Sequence, residues 1–250
     1  ILRGYTVFDF LRTYGGKPFM LTDHLKRFRD GAARFHLAIH LSDTEIADAI
    51  TGLMKKNGLK EAGIRLVVTG GHSPDTKHIG TPTFYILADP VEELPEAYFE
   101  HGVKVITIEH EREYPMTKNS SYVTAIKEKL ERNEDSIFEI VYVSDGKVSE
   151  ASTSNIFIVK DGIIATPKDE ILYGITRKVV IDIAREAGYT VEERDIILDE
   201  LLKADEVFLT ATSKYVLPVV RVNDAIIGDG SPGKVAKELL KLFKEKTLGS

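Results

Sequence analysis

Two Asp-Gly pairs, Asp145-Gly146 and Asp161-Gly162, each lie between apolar runs and constrain the second half of this 250-residue chain more than any other feature. A two-residue loop of this kind folds a strand back on its neighbour, because both central positions take left-handed backbone that Asp tolerates and Gly prefers. The runs at 138–144, 147–149 and 155–160 therefore predict a meander of hairpins rather than a series of strand–helix–strand crossovers.

The remaining periodicities complete an α+β or mixed α/β pattern. Leu25, Phe28, Ala32 and Phe35 share one helical face, entered through Thr22 or Asp23. Ser42-Asp43-Thr44-Glu45 has capping-box form, and Ile46, Ile50, Leu53 and Met54 supply the stripe of a second helix. Strands are expected at Gly63–Thr69, Thr83–Ala88, Val103–Ile108, 206–211 and 215–222. Further helices are expected from about Tyr122 to Arg132, from Ile175 to Ala187 with a stop at Gly188, and from Pro232 to about Lys244. Glu109–Pro115 is polar and aperiodic, which predicts a linker between domains 1–109 and 116–250.

Composition narrows the chemistry. Apolar residues are 43% and charged residues 29%, the proportions of a globule with enough length for two cores. No apolar run approaches the length of a membrane span, and no charged-then-apolar leader is present, so a cytoplasmic location is expected. Zero Cys excludes disulfides, thiolate metal sites and a cysteine nucleophile. With 39 acidic against 33 basic residues, no nucleic-acid groove is expected. Glycine-rich dinucleotide and Walker motifs and the Gly-x-Ser-x-Gly elbow are missing. His36 and His40 are four apart without an intervening Glu, and His72 and His78 lie in a small-residue loop, so solvated roles are expected and no metal.

Four polar segments stand out in the second half. Pro115–Tyr122 carries Lys118 among small residues, and Val148–Asn155 places Glu150 at a strand end ahead of Ser152, Thr153 and Ser154. Leu172-Tyr173-Gly174-Ile175-Thr176-Arg177 opens a helix after Gly, where unpaired N–H groups and the helix dipole suit an anion by about 0.3–1 kcal/mol. Phe208–Ser213 ends a buried strand in hydroxyls. Each segment alone reads more readily as surface, turn or cap.

Together, in this order, they resemble the fold-type IV pyridoxal-phosphate enzymes, which include branched-chain aminotransferases, D-amino-acid aminotransferases and aminodeoxychorismate lyases. Arg3-Gly4-Tyr5-x-Val7-Phe8-Asp9 with Arg12-x-Tyr14-x-Gly16-x-Pro18-Phe19 is similar to the family's opening strand, and Asp23-His24-Leu25-Lys26-Arg27-Phe28 to its first-helix signature. The most specific pieces are Val148-Ser149-Glu150-Ala151-Ser152-x-Ser154-Asn155-Ile156-Phe157 and Gly174-Ile175-Thr176-Arg177.

The resemblance implies a two-domain α+β fold like that of the D-amino-acid aminotransferases, with hairpin-rich sheets, packed helices and pyridoxal 5′-phosphate in the cleft between the domains. It implies that Lys118, in the second domain, bonds the cofactor aldehyde and shuttles a proton, and that Glu150 faces the pyridine nitrogen. Arg27, Ile175, Thr176, Ala211 and Thr212 match the phosphate pocket, and Tyr122 a tyrosine aimed at the cofactor's phenolic oxygen. Thr153, Asn155 and Leu172 match residues around the ring, and Arg65, Thr153, Thr212 and Ser213 the substrate contacts.

The implied activity is amino transfer between an amino acid, branched-chain-like first because Arg65 is kept, and a 2-oxo acid; D-amino-acid transfer and aminodeoxychorismate lysis are the alternatives. His72, Lys77 and His78 are candidates for a substrate carboxylate. The family's usual first hairpin is missing ahead of the opening strand and the chain starts at Ile1, so the sequence is expected to lack its start. A homodimer is implied by resemblance alone.

Overall fold

Both Asp-Gly pairs reverse the chain with positive φ at each central residue, 49° and 73° at Asp145-Gly146 and 49° and 77° at Asp161-Gly162. The type I′ geometry matches the twist of the strands it joins. The computed structural model describes residues 4–73, 75, 78 and 80–248.

The chain up to Glu92, together with Met116–Ser121, forms one unit. Its elements are β1 (Thr6–Tyr14), β2 (Lys17–Pro18), α1 (Leu21–Arg34), α2 (Asp43–Lys56), β3 (Gly63–His72) and β4 (Thr81–Asp89). The sheet order is β2-β1-β3-β4, antiparallel throughout. In the β1–β3 register Val7 faces Val68, Asp9 faces Leu66 and Leu11 faces Ile64. This face packs on Leu25 and Phe28 of α1 and on Ile46 and Ile50 of α2.

The capping box of α2 forms as its spelling predicts: Glu45 N–H donates to Ser42 Oγ at 3.3 Å and Ser42 N–H donates to Glu45 Oε2 at 2.7 Å. Helix α1 differs. It begins at Leu21 behind Met20 at φ 50°, with no side-chain cap, so neither Thr22 nor Asp23 is its entry residue. Phe35 follows the helix as its C-cap and is partly buried against the same core.

The second unit comprises Glu93–Pro115 and the chain from Tyr122 onward. It holds α3 (Glu96–His101), β5 (Val103–Glu109), α4 (Val123–Arg132), β6 (Ile137–Ser144), β7 (Lys147–Ala151), β8 (Asn155–Lys160), β9 (Ile163–Thr166) and α5 (Ile175–Glu186). There follow β10 (Val191–Glu193), β11 (Ile196–Ile197), α6 (Leu198–Leu202), β12 (Glu206–Ala211), β13 (Tyr215–Val222), β14 (Ala225–Ile226) and α7 (Lys234–Leu248). Its sheet runs β10-β9-β8-β12-β13-β5-β6-β7-β11, with β14 paired to β13. The hairpins β6–β7 and β8–β9 are antiparallel, whereas β5 lies parallel to both β6 and β13. Val105, Val141, Ile156, Leu209 and Leu217 form the centre of one buried face.

Two assignments from the sequence need correction. Residues 93–109, expected in the first domain, belong to the second unit because β5 satisfies its backbone groups on β6 and β13. Lys118, expected in the second domain, belongs to the first unit. Phe8 N–H donates to the Lys118 carbonyl at 2.9 Å, and Val7 and Asn119 form a β-bridge.

Helix α7 starts two residues after Pro232. The Glu206 carboxylate of β12 accepts from Val235 N–H (3.0 Å) and Ala236 N–H (2.9 Å), supplying the cap from another element. Gly233 makes room for it, since a Cβ there would lie 1.9 Å from Glu206 Cδ. Among the described residues, no helix is long and apolar enough to cross a membrane.

Candidate active site

The alternation of β1 places Asp9, fully buried, on the core face between Val7 and Leu11. A carboxylate in that position needs donors. His24 and Arg27, three residues apart on one face of α1, provide them. Arg27 Nε donates to Asp9 Oδ2 at 2.8 Å, Arg27 Nη2 to Oδ1 at 2.9 Å, and His24 Nδ1 to Oδ1 at 2.7 Å. Burial acts to raise the Asp9 pKa, yet the Arg27 charge and these hydrogen bonds hold it well below the usual carboxylate range. Burial, with the Arg27 and Lys118 charges, lowers the His24 pKa against the opposing pull of Asp9, and the net shift is downward, so His24 is a neutral donor near pH 7. Arg27 stands off the apolar stripe but is turned toward a buried acid, with 14% of its side chain exposed.

Lys118 belongs to the same neighbourhood. Its charge is among the causes that lower the His24 pKa, and its Nζ lies 4.9 Å from the Phe8 ring centre. Phe8 and Phe10, two apart on β1, share the face opposite Asp9. Arg65 lies over Phe10 at 5.3 Å and donates from Nη1 to Asp89 Oδ2 at 2.5 Å. Lys118 and Arg65 thus flank adjacent rings of one strand, with Arg65 half-exposed and ion-paired. His72 is exposed at the end of β3, His78 pairs with Asp75 at 2.8 Å, and Arg3 and Lys77 lie outside the described residues.

In the second unit the buried Glu150 of β7 accepts from Leu172 N–H at 3.0 Å and from Arg112 Nη1. The Leu172 carbonyl accepts from Asn155 Nδ2 at 2.8 Å, so Asn155 braces the segment that leads into α5. Gly174 is the N-cap of α5, and among the described residues no side chain caps it. Ile175 and Thr176 begin the helix buried, with first-turn N–H groups that have no intrahelical partner. Asn155 is paired in register with Thr210, whose buried Oγ1 has no hydrogen-bond partner among the described residues. An anion-sized group at this helix start would meet donors with no other partner within the helix, and Glu150 offers a carboxylate two hydrogen bonds away.

Tyr122 precedes α4. Burial pushes its phenol up to about 12, with Arg112 lowering it and Glu150, Tyr142 and Glu139 raising it further. Tyr122 thus feels the charges of Arg112 and Glu150. Of the expected residues in this unit, Glu150, Leu172 and Asn155 are joined by hydrogen bonds, and Ile175 and Thr176 follow Leu172 in the chain. Ala211 closes the β12–β13 turn opposite Tyr215, and Thr212 and Ser213 are at its tip.

Thr153 is exposed, and its hydroxyl donates to Oε1 of the buried Glu139 at 2.7 Å and accepts from Lys214 Nζ at 2.6 Å.

Four residues in these clusters were not assigned a role from the sequence: Asp9, Arg112, Glu139 and Lys214. Two of them had a legible signal. Glu139 is the single charge of an apolar strand, and Asp9 lies between Phe8 and Phe10 in the apolar stretch of β1; a charge buried there requires a partner. Arg112 lay in the expected linker, and Lys214 in a turn, where nothing local distinguishes them. Among the described residues no cluster of His, Cys, Asp and Glu is placed to hold a metal ion.

Comparisons with known proteins show the family. The family model described as amino-transferase class IV matches residues 6–222. A protein of Methanocaldococcus jannaschii assigned as a branched-chain-amino-acid aminotransferase is 35% identical over 98% of this chain and 88% of its own length. The D-alanine aminotransferase of Bacillus licheniformis is 33% identical over 98% and 90%. Among solved structures, the T.th. branched-chain amino acid aminotransferase with pyridoxamine 5′-phosphate superposes with a TM-score of 0.88 at 30% identity, covering 98% of this chain and 86% of that one.

Proposed function

The chain belongs to the class IV aminotransferases, and we propose that it uses pyridoxal 5′-phosphate to move an amino group from a branched-chain-like amino acid to a 2-oxo acid. The observation that carries the reading is the buried Glu150, held by Arg112 and by the N–H of Leu172, two residues before Gly174, the N-cap of α5, which has no side-chain cap among the described residues. When bound, the cofactor supplies an electron sink that stabilises negative charge at the substrate α-carbon.

The protein's residues divide the remaining work. Glu150 would hold a proton on the ring nitrogen by presenting a negative charge, and Arg112 and Leu172 N–H orient its carboxylate. The backbone at Ile175 and Thr176, the Thr176 hydroxyl and the turn at Ala211-Thr212 would hold the phosphate, and the resemblance makes Arg27 a phosphate-binding candidate. Asp9 holds the Arg27 fork in one orientation for that purpose. Tyr122, protonated across the working range because burial raises its pKa, serves as a hydrogen-bond donor. Lys118 carries the reactive amine and the mobile proton; it must be neutral to act as nucleophile or base.

Arg65 supports the substrate assignment through its place on the face shared with Lys118, although it reaches a substrate carboxylate only after leaving Asp89. The branched-chain preference is supported mainly by the similarity to branched-chain aminotransferases. Lyase chemistry is not favoured, as the relatives reported above are aminotransferases. The proposal keeps a homodimer and a cytoplasmic location. For the dimer, α4 presents Val123, Ile126 and Leu130 as an exposed apolar stripe of a kind that subunit contacts cover.

The test is an absorbance titration of the purified protein with L- and D-amino acids, followed by borohydride reduction and peptide mapping. Bleaching by L-branched-chain donors and added cofactor mass on the Lys118 peptide are expected. Bleaching by D-amino acids alone moves the reading to D-amino-acid transfer, pyruvate released from aminodeoxychorismate without an acceptor moves it to the lyase, and no added mass refutes it.

A further inference from the structure

Glu139 is a lone charge in the apolar strand β6, buried to 4% exposure, and its carboxylate is fully subscribed. Oε1 accepts from Thr153 N–H (2.5 Å), Thr153 Oγ1 (2.7 Å) and Ser152 Oγ (3.2 Å), and Oε2 accepts from Ser154 Oγ (2.8 Å) and Lys214 Nζ (2.6 Å). The Lys214 ammonium uses its other two protons on Thr153 Oγ1 (2.6 Å) and Ser154 Oγ (2.8 Å) and lies 5.4 Å from the Phe138 ring centre. The hydroxyls accept from the lysine and donate to the carboxylate, so the ring of bonds closes on itself. Thr212 is two residues from Lys214, and Glu150 two residues from Ser152.

We propose that the Glu139–Lys214 pair is a positioning clamp, locking the loop after Glu150 to the turn that carries Ala211-Thr212 and so setting that turn for the cofactor phosphate. The inference rests on the aminotransferase reading and deepens it. Apolar side chains of similar volume would hold the two segments together as well as a buried ion pair does. What they would not supply is the direction of five hydrogen bonds converging on one carboxylate. Removing either partner releases the turn while leaving Lys118, Arg27 and the α5 helix start in place.

The discriminating measurement is the ratio of affinities for pyridoxal 5′-phosphate and for pyridoxal, which lacks the phosphate, titrated into protein stripped of cofactor. Lys214→Met is expected to weaken pyridoxal 5′-phosphate by at least about tenfold and pyridoxal by less than about twofold. Glu139→Gln should shift the ratio in the same direction, and Lys214→Arg, which keeps the charge and the donors, should recover part of the loss. Equal weakening of both ligands marks a merely structural role and overturns the clamp, as does an unchanged ratio. If Lys214→Met does not accumulate as folded protein, Glu139→Gln and Lys214→Arg decide the question by the same ratio. A wild-type protein that binds neither ligand refutes the functional reading itself, a result distinct from a wild type that binds while the variants match it.

Discussion

Asn155 and Gly174 leave no space for a side chain between them: a Cβ on Gly174 would lie 2.1 Å from Asn155 Oδ1. The same Asn155 holds the Leu172 carbonyl, and Leu172 N–H holds Glu150. Gly174→Ala is therefore expected to displace Asn155 and slacken the whole approach to α5. A loss of about 1–3 kcal/mol in stability is anticipated from such overpacking, and calorimetry checks it. Cofactor should also dissociate faster, whereas Gly52→Ala, in α2 with no positive φ and no atom near the added carbon, should leave cofactor release unchanged.

Asp9 makes the fold acid-sensitive. Its pKa is lower in the folded chain than in the unfolded one, so the unfolded state binds the extra proton as pH falls. The stabilisation is present above about pH 4 and is lost progressively below it. Asp9→Asn should cost about 3 kcal/mol at neutral pH by leaving Arg27 without its counter-charge, and should flatten the stability profile below pH 4. Urea unfolding between pH 2 and pH 7 measures both.

Glu150→Gln separates binding from chemistry. Cofactor retention depends mainly on the phosphate donors and Lys118, so affinity is expected to stay within about tenfold of wild type. Turnover should fall by at least about a hundredfold, close to 2.7 kcal/mol of barrier, because the ring nitrogen loses the charge that keeps it protonated. Arg112→Met should lower turnover in the same direction by unfixing the Glu150 carboxylate. Stopped-flow half-reactions with the two variants test this.

Tyr122 should resist ionisation. Burial raises its pKa to about 12, so in the folded protein the phenol remains protonated beyond the ordinary tyrosine range. Stability then declines as pH rises from about 10 toward 12, because the unfolded chain releases that proton first. In a phenolate absorbance titration, Tyr122→Phe should remove a late step and leave the earlier ones intact.

The strands and helices were legible because local chemistry dictates them. The two Asp-Gly turns and the Ser42–Glu45 box act over a few residues and formed as written, and the apolar stripes formed apart from Phe35, which follows α1, and Leu53, which is only half-buried. Helix entries were less legible at Met20, where no capping side chain exists, and at Pro232, where Glu206 supplies the cap from a distant strand. The domain boundary misled for a related reason. A polar, aperiodic segment looks like a linker, yet strand pairing drew β5 into the second sheet and Lys118 to β1.

The sequence by itself determined the element types, the hairpins and, through resemblance, the family and which residues to suspect. Tertiary structure alone decided the partners: Asp9 with Arg27, Arg112 with Glu150, and Glu139 with Lys214. Backbone conformation is governed by neighbours in the chain, so its signals are written locally. The energy of a buried charge depends on which opposite charge lies within hydrogen-bond reach, and residues 18, 38 and 75 positions apart meet only once the chain has folded.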